Sequence, residues 1–143
     1  MRMAFGYSIP PSKHRLKNPL TMYFSASGWN PLAFGAFENG RLTGFVEGAM
    51  ESWNNRFRIS NICVFEAAAR GRGTGQALMD RIAQTAAALG ARMLILETQS
   101  CNERAIAFYK KNGFSIVGFD LYAYSNADPQ RREVRVEMGK RLK

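Results

Sequence analysis

Apolar residues change their period several times along these 143 residues, and each change marks an element. Between Pro31 and Phe37, and again from Arg41 to Met50, they fall in short extended runs separated by Glu38-Asn39-Gly40. Asn-Gly supplies the positive φ angles of a tight turn, so the two runs predict a hairpin. Glu47, Glu51 and Trp53 extend its second arm to a turn at Asn54-Asn55, and Arg58 to Phe65 reads as a third strand. From Gly75 the period becomes helical: Leu78, Ile82, Ala86 and Leu89 share a face, and Gly90 ends the pattern. Met93 to Leu96, inside a predicted strand from Arg92 to Thr98, is continuously apolar, as expected of a strand buried on both faces. Asn102 has an N-capping side chain, Ala105, Phe108 and Tyr109 fall on one helical face, and Gly113 stops that helix. Phe114 to Asp120 and Glu133 to Met138 predict two closing strands around a polar loop, Ser125 to Pro129. Met1 to Asn30, broken by Pro10, Pro11 and Pro19, has room for one short strand and at most one short helix. The order predicts an α/β chain: a single mixed, largely antiparallel sheet flanked by helices, without internal repeats.

Composition narrows the partners. One domain suits this length, and 46% hydrophobic with 22% charged residues is ordinary for a globular protein. No apolar run approaches the ~18 residues that span a bilayer, and no secretory signal is evident, so the expected setting is cytoplasmic and without a membrane. Cys63 and Cys101 then read as free thiols. The single histidine, His14, is far in sequence from both, so neither a metal site nor a Cys-His nucleophile is expected. Twenty basic against eleven acidic residues give a net charge of +9, which favours a polyanion or a small ligand carrying several phosphates.

Arg70-Gly71-Arg72-Gly73-Thr74-Gly75 lies between the third strand and the first helix. A glycine turn entering a helix offers unpaired N–H groups at the positive helix end, which suits a phosphate. No Lys-Ser or Lys-Thr follows at P-loop distance, and Leu78 stands where a dinucleotide fingerprint needs its third glycine. What remains, Arg-x-x-Gly-x-Gly, resembles the acetyl-CoA pyrophosphate loop of the GNAT acetyltransferases. Downstream, Asn102-x-x-Ala105-x-x-Phe108-Tyr109-x-x-x-Gly113-Phe114 resembles a second stretch of the same core. Leu96-Glu97-Thr98-Gln99, Gly118-x-Asp120 and Tyr124 are similar to the streptothricin-type members. Two departures stand out: Ser60-Asn61 replaces an acidic pair common in those relatives, and the part ahead of the first hairpin is shortened.

The resemblance implies a GNAT-like acyl-CoA N-acyltransferase fold. It implies one N-acetyltransferase domain over 1–143, with 1–30 as a divergent N-terminal segment and 31–138 as the core. Acetyl-CoA would be the co-substrate, held by Arg70, Gly71, Arg72, Gly73, Thr74 and Gly75 at its pyrophosphate and by Asn102 and Tyr109 along the pantetheine arm. Cys63, Val64 and Phe65 would line the strand where a backbone N–H polarises the thioester carbonyl, which requires a splayed sheet. Tyr109 takes the position of the general acid in this resemblance, although by spacing alone it reads rather as a core aromatic beside Phe108. Among Glu47, Glu51 and Glu97 as general base, Glu97 is slightly preferred because it ends a central strand, where α/β sites gather, and water relaying the proton to solvent is the alternative. Trp29, Trp53, Tyr122 and Tyr124 are candidates for the acceptor pocket.

The expected reaction is direct acetyl transfer to a primary amine of a small molecule, a streptothricin-like antibiotic being the first choice. No metal is required, and a homodimer is compatible. A basic surface argues against a polycationic acceptor unless the pocket is locally acidic. Two readings compete. A basic nucleic-acid-binding module has the net charge in its favour, but basic residues clustered with aromatics are missing, so specific nucleic-acid binding is not expected. A GNAT-like protein that binds CoA without catalysis would explain the short N-terminal part and the missing acidic pair.

Overall fold

A computed structural model describes residues 20–24, 31–65 and 71–143. Seven strands form one sheet in the order β1-β2-β3-β4-β5-β7-β6. They are β1 (Leu20–Phe24), β2 (Leu32–Glu38), β3 (Arg41–Glu51), β4 (Arg56–Val64), β5 (Met93–Gln99), β6 (Ser115–Asp120) and β7 (Arg135–Arg141). Helix α1 (Thr74–Ala88) follows β4, α2 (Glu103–Lys111) follows β5, and the short α3 (Asp128–Arg131) precedes β7. Only β4 and β5 run parallel; every other pairing is antiparallel. The predicted mixed sheet is therefore observed, and it extends past 31–138 at both ends through β1 and the last residues of β7.

The β2–β3 hairpin turns at Asn39 and Gly40, with φ of 50° and 79°, as the Asn-Gly pair requires. Helix α1 buries Leu78, Met79, Ile82 and Ala86 against β2, β3 and β4, and the Arg81 guanidinium lies 5.0 Å from the Phe34 ring centroid. Its end is a Schellman cap: Gly90 N–H donates to Ala87 O and Ala91 N–H to Ala86 O, both at 3.0 Å. Helix α2 ends identically, with Gly113 N–H on Lys110 O and Phe114 N–H on Tyr109 O. Phe34, Val46, Phe57, Ile59, Leu94, Leu96, Val136 and Met138 complete one core beneath these helices.

The last third departs from expectation. Ser125 to Pro129 was expected as loop, but Asp128 to Arg131 form α3, and β7 begins at Arg135 instead of Glu133. The cause is Asp128, a buried carboxylate that accepts from Ser125 Oγ at 2.5 Å and Tyr124 N–H at 2.8 Å, nucleating a turn with Pro129 at the start of the helix.

Candidate active site

The site begins with a parting of two strands. β4 and β5 pair over only three positions, Arg56 with Met93, Phe57 with Leu94 and Arg58 with Ile95. Beyond Arg58, β4 stays on β3 while β5 continues on β7. A bulge makes the divergence local: Asn61 is opposite Glu47 and Ile59 opposite Gly48, leaving Ser60 as the extra residue. The bulge also exchanges faces, so that Phe57 and Ile59 before it, and Ile62 and Val64 after it, lie towards the helices. Phe65 N–H donates to Thr43 O on β3 at 2.9 Å. Alternate residues of an antiparallel ladder address the same neighbour, so Cys63 also turns its backbone groups to β3. Ile62 and Val64 turn theirs into the gap that β5 has left.

That gap is the floor of a cleft of about 550 Å³ lined by Ile62, Cys63 and Val64 from β4, Gly71, Gly73, Gly75 and Gln76 from the turn and α1, and Asn102, Arg104, Ala105, Phe108, Tyr109 and Lys111 from α2. Gly71 and Gly73 have φ of 80° and 86°, and a Cβ on either would meet none of the described residues within 4 Å. Their need for glycine is conformational, and the space before them is open. The first turn of α1 has neither a side-chain cap nor an acidic residue, so its N–H groups and positive end are uncompensated within the helix. These features fit a phosphate group at the turn. Gln76 Nε2 donates to Asn112 Oδ1 at 2.6 Å, tying α1 to α2 and fixing the distance between the two helical walls.

Tyr109 is buried to 8% exposure at the inner wall, its ring 5.7 Å from Phe108 and 6.0 Å from Phe114 between centroids. Asn102 Oδ1 accepts from Ala105 N–H at 3.2 Å, so the cap that starts α2 and the cap on Tyr109 O that ends it hold this ring from both sides. The Tyr109 hydroxyl hydrogen-bonds none of the described residues, and Tyr109 lines the cleft. Burial pushes its pKa up, keeping the phenol protonated at neutral pH.

Comparison with known proteins decides what this cleft belongs to. Residues 4–114 match the family model described as acetyltransferase (GNAT) family. The chain belongs to the GNAT acetyltransferase family. It is 38% identical over 86 residues to a streptothricin acetyltransferase of Streptomyces lavendulae, covering 60% of this chain and 45% of that relative. The chain thus spans about half the length of the curated relatives it matches. The crystal structure of nourseothricin acetyltransferase superposes with a TM-score of 0.71 at 32% identity, over 87% of this chain and 72% of that one. A Bacillus anthracis protein assigned as a streptothricin acetyltransferase, solved in complex with acetyl coenzyme A, also has a TM-score of 0.71, at 29% identity over 82% and 65% of the two chains.

The GNAT cleft gathers Cys63, Val64, Gly71, Gly73, Gly75, Asn102 and Tyr109 from the expected set. Others are placed elsewhere. Phe65 does not line it: its N–H is on β3 and its ring packs on Phe45 at 5.7 Å. The Thr74 side chain is buried, and Arg72 reaches Glu38 at 3.2 Å on the outside of the turn. Arg70, His14 and Trp29 lie outside the described residues. Glu97 lies on the sheet face away from the helices, 3.4 Å from Arg135. Sequence reasoning missed Ile62, Gln76, Arg104 and Lys111. Arg104 and Lys111 carried a signal, being two cations seven residues apart on one helix face; Ile62 did not, because the bulge that turns it inward is invisible in the pattern.

Among the described residues no helix is long and apolar enough to cross a membrane, and no group of His, Cys, Asp and Glu is placed to hold a metal.

Proposed function

We propose that this chain is an acetyl-CoA-dependent N-acetyltransferase that moves the acetyl group directly onto a primary amine of a small, streptothricin-like molecule. The observation that carries this reading is the parted β4–β5 pair. It leaves the backbone groups of Ile62 and Val64 without a partner on β5, beside a cleft with the glycine turn on one wall and Tyr109 on the other. The relatives named above support the choice of donor and acceptor.

In this mechanism the turn at Gly71 and Gly73 receives the pyrophosphate, with Arg104 and Lys111 adding positive charge along α2. The pantetheine arm lies against β4 in the place of a neighbouring strand. A free N–H of Ile62 or Val64 donates to the thioester carbonyl and stabilises the oxyanion; donors of this kind contribute roughly 2.7–4 kcal/mol. The amine nitrogen attacks the carbonyl carbon, the C–S bond breaks with its electrons on sulfur, and Tyr109 gives that sulfur its proton. Cys63 and Cys101 are free thiols, in keeping with a reducing cytoplasm, and neither takes part as a nucleophile. The exposed apolar residues Ile116, Val117 and Phe119 on edge strand β6 support self-association of two copies.

The test is an acetyl-CoA consumption screen against a panel of primary amines that includes streptothricin-type antibiotics. Turnover is expected with a subset of them. No turnover, together with unaltered acetyl-CoA binding, would favour a CoA-binding protein without catalysis.

A further inference from the structure

The sheet face opposite α1 and α2 carries a row of charges that runs across four strands. Glu51 on β3 accepts from Arg56 Nε at 2.9 Å and from Arg58 Nε at 2.6 Å. Arg58 also reaches Glu137 on β7 at 3.4 Å, Arg135 lies 3.7 Å from Glu137, and Arg135 lies 3.4 Å from Glu97 on β5. Three arginines thus occupy three glutamates. A fourth glutamate, Glu47 on β3, has no cation among the described residues: it accepts from Asn61 Nδ2 at 2.5 Å across the bulge of β4. On a chain of net charge +9, this is a local surplus of one carboxylate, and it stands beside the point where β4 and β5 part.

Building on the acetyltransferase reading, we propose that Glu47 is the carboxylate that receives the acceptor's ammonium group and takes its proton, and that the acceptor approaches from this sheet face, opposite α1 and α2. The three rivals are less suited. Arg56 and Arg58 hold Glu51; burial raises its pKa, but the bonds from Arg58, Asn54 and Arg56 outweigh this and keep it below the ordinary carboxyl value. Glu137 and Glu97 share Arg135. Among the described residues Glu47 is held only by a neutral amide, which fixes its direction and leaves its charge for a cation. The step balances. The ammonium gives one proton to Glu47, the nitrogen lone pair forms the C–N bond, and the C–S bond breaks with sulfur taking the Tyr109 proton. The second nitrogen proton then leaves and the phenol is refilled.

Among the described side chains, the charged and titratable groups around Glu47 on this face are Glu51 on its own strand and Arg56, Arg58 and Cys63 on β4; its partner on β2, Ala33, carries none, and Tyr23 of β1 stands at the register position beyond Ala33. The test is Glu47→Gln, which keeps an oxygen for Asn61, beside Glu97→Gln. With an amine that the wild type acetylates, Glu47→Gln should lower kcat/KM for the amine by about 10²–10⁴. Acetyl-CoA should still raise the melting temperature, and activity should recover as the pH climbs towards the amine's own pKa. A loss confined to Glu97→Gln, or a Glu47→Gln rate within threefold of wild type with an unchanged pH profile, would overturn the assignment. Wild-type protein that binds acetyl-CoA yet acetylates no amine would overturn the parent reading and this one with it.

Discussion

Gly73 and Gly90 form a matched pair at the two ends of α1, and they separate a demand of the fold from a demand of the ligand. Both have left-handed backbones, φ of 86° and 83°, and a Cβ on either meets none of the described residues within 4 Å. Alanine at such a position costs roughly 1–2 kcal/mol for the left-handed conformation. It regains about 0.4–1 kcal/mol because the unfolded chain loses freedom. The net loss is about 0–1.6 kcal/mol at either site, at most about 6 °C in melting temperature for a domain of this size. Gly73 lines the cleft at the positive helix end, whereas Gly90 does not line it. Acetyl-CoA at a hundred times its Kd should stabilise the fold by about 2.7 kcal/mol, a rise of roughly 6–10 °C. Gly90→Ala should keep that full rise on its lower baseline. Gly73→Asp should lose it, since a carboxylate would occupy the anion's place, although its charge near the helix N-terminus itself favours the fold by about 0.3–1 kcal/mol. Differential scanning fluorimetry with and without acetyl-CoA checks all four conditions. If Gly73→Asp retains the full acetyl-CoA rise, the glycine turn does not hold the pyrophosphate.

Other perturbations read separate parts of the account. Tyr109→Phe removes a hydroxyl that hydrogen-bonds none of the described residues, so melting temperature and acetyl-CoA affinity should hold while kcat falls by about 10²–10⁴ in steady-state assays. Asn102→Ala deletes the side-chain cap of α2 and should cost about 0.5–2 kcal/mol in urea denaturation, with a weaker acetyl-CoA response because the inner wall frays with it. Asp128 is subject to burial, which raises its pKa, but the bonds from Ser125 and Tyr124 prevail and hold it below the ordinary carboxyl value. A depressed carboxyl stabilises the fold above its unfolded pKa and loses that contribution as pH falls through the folded value. Asp128→Asn should therefore melt below the wild type at neutral pH, with the gap closing as the solution is acidified below about pH 4.

Most of the sheet was legible because its signals are local. Asn39-Gly40, Gly90 and Gly113 are turn and cap residues whose φ angles the fold uses, and Met93 to Leu96 read correctly as a central strand. The cleft was legible through its glycines and through Tyr109. What escaped depends on partners distant in sequence. Ser60 carries no mark of the bulge that reverses the faces of β4, so the pattern does not show Ile62 turning inward, and Phe65, which only the resemblance places in the cleft, packs on Phe45 instead. Glu97 stands out by its place at a strand end, but Arg135, thirty-eight residues away on β7 and opposite Gln99, reaches it diagonally. Glu47 could not be distinguished from Glu51 until the arginines of β4 were seen to serve one and not the other. Asp128 looked like an ordinary turn residue, and its burial is what makes α3.

The central claim is direct acetyl transfer within the cleft, and a single-turnover reaction tests it most directly. Protein in excess over acetyl-CoA labelled in its acetyl group is mixed with an acceptor amine found in the screen, then quenched and analysed by mass spectrometry of both amine and protein. The account predicts that the label appears on the amine nitrogen at the rate at which free CoA is released, with none on Cys63, Cys101 or any other side chain. A labelled protein that forms first and passes its acetyl group on, or CoA released with no labelled amine, would contradict it.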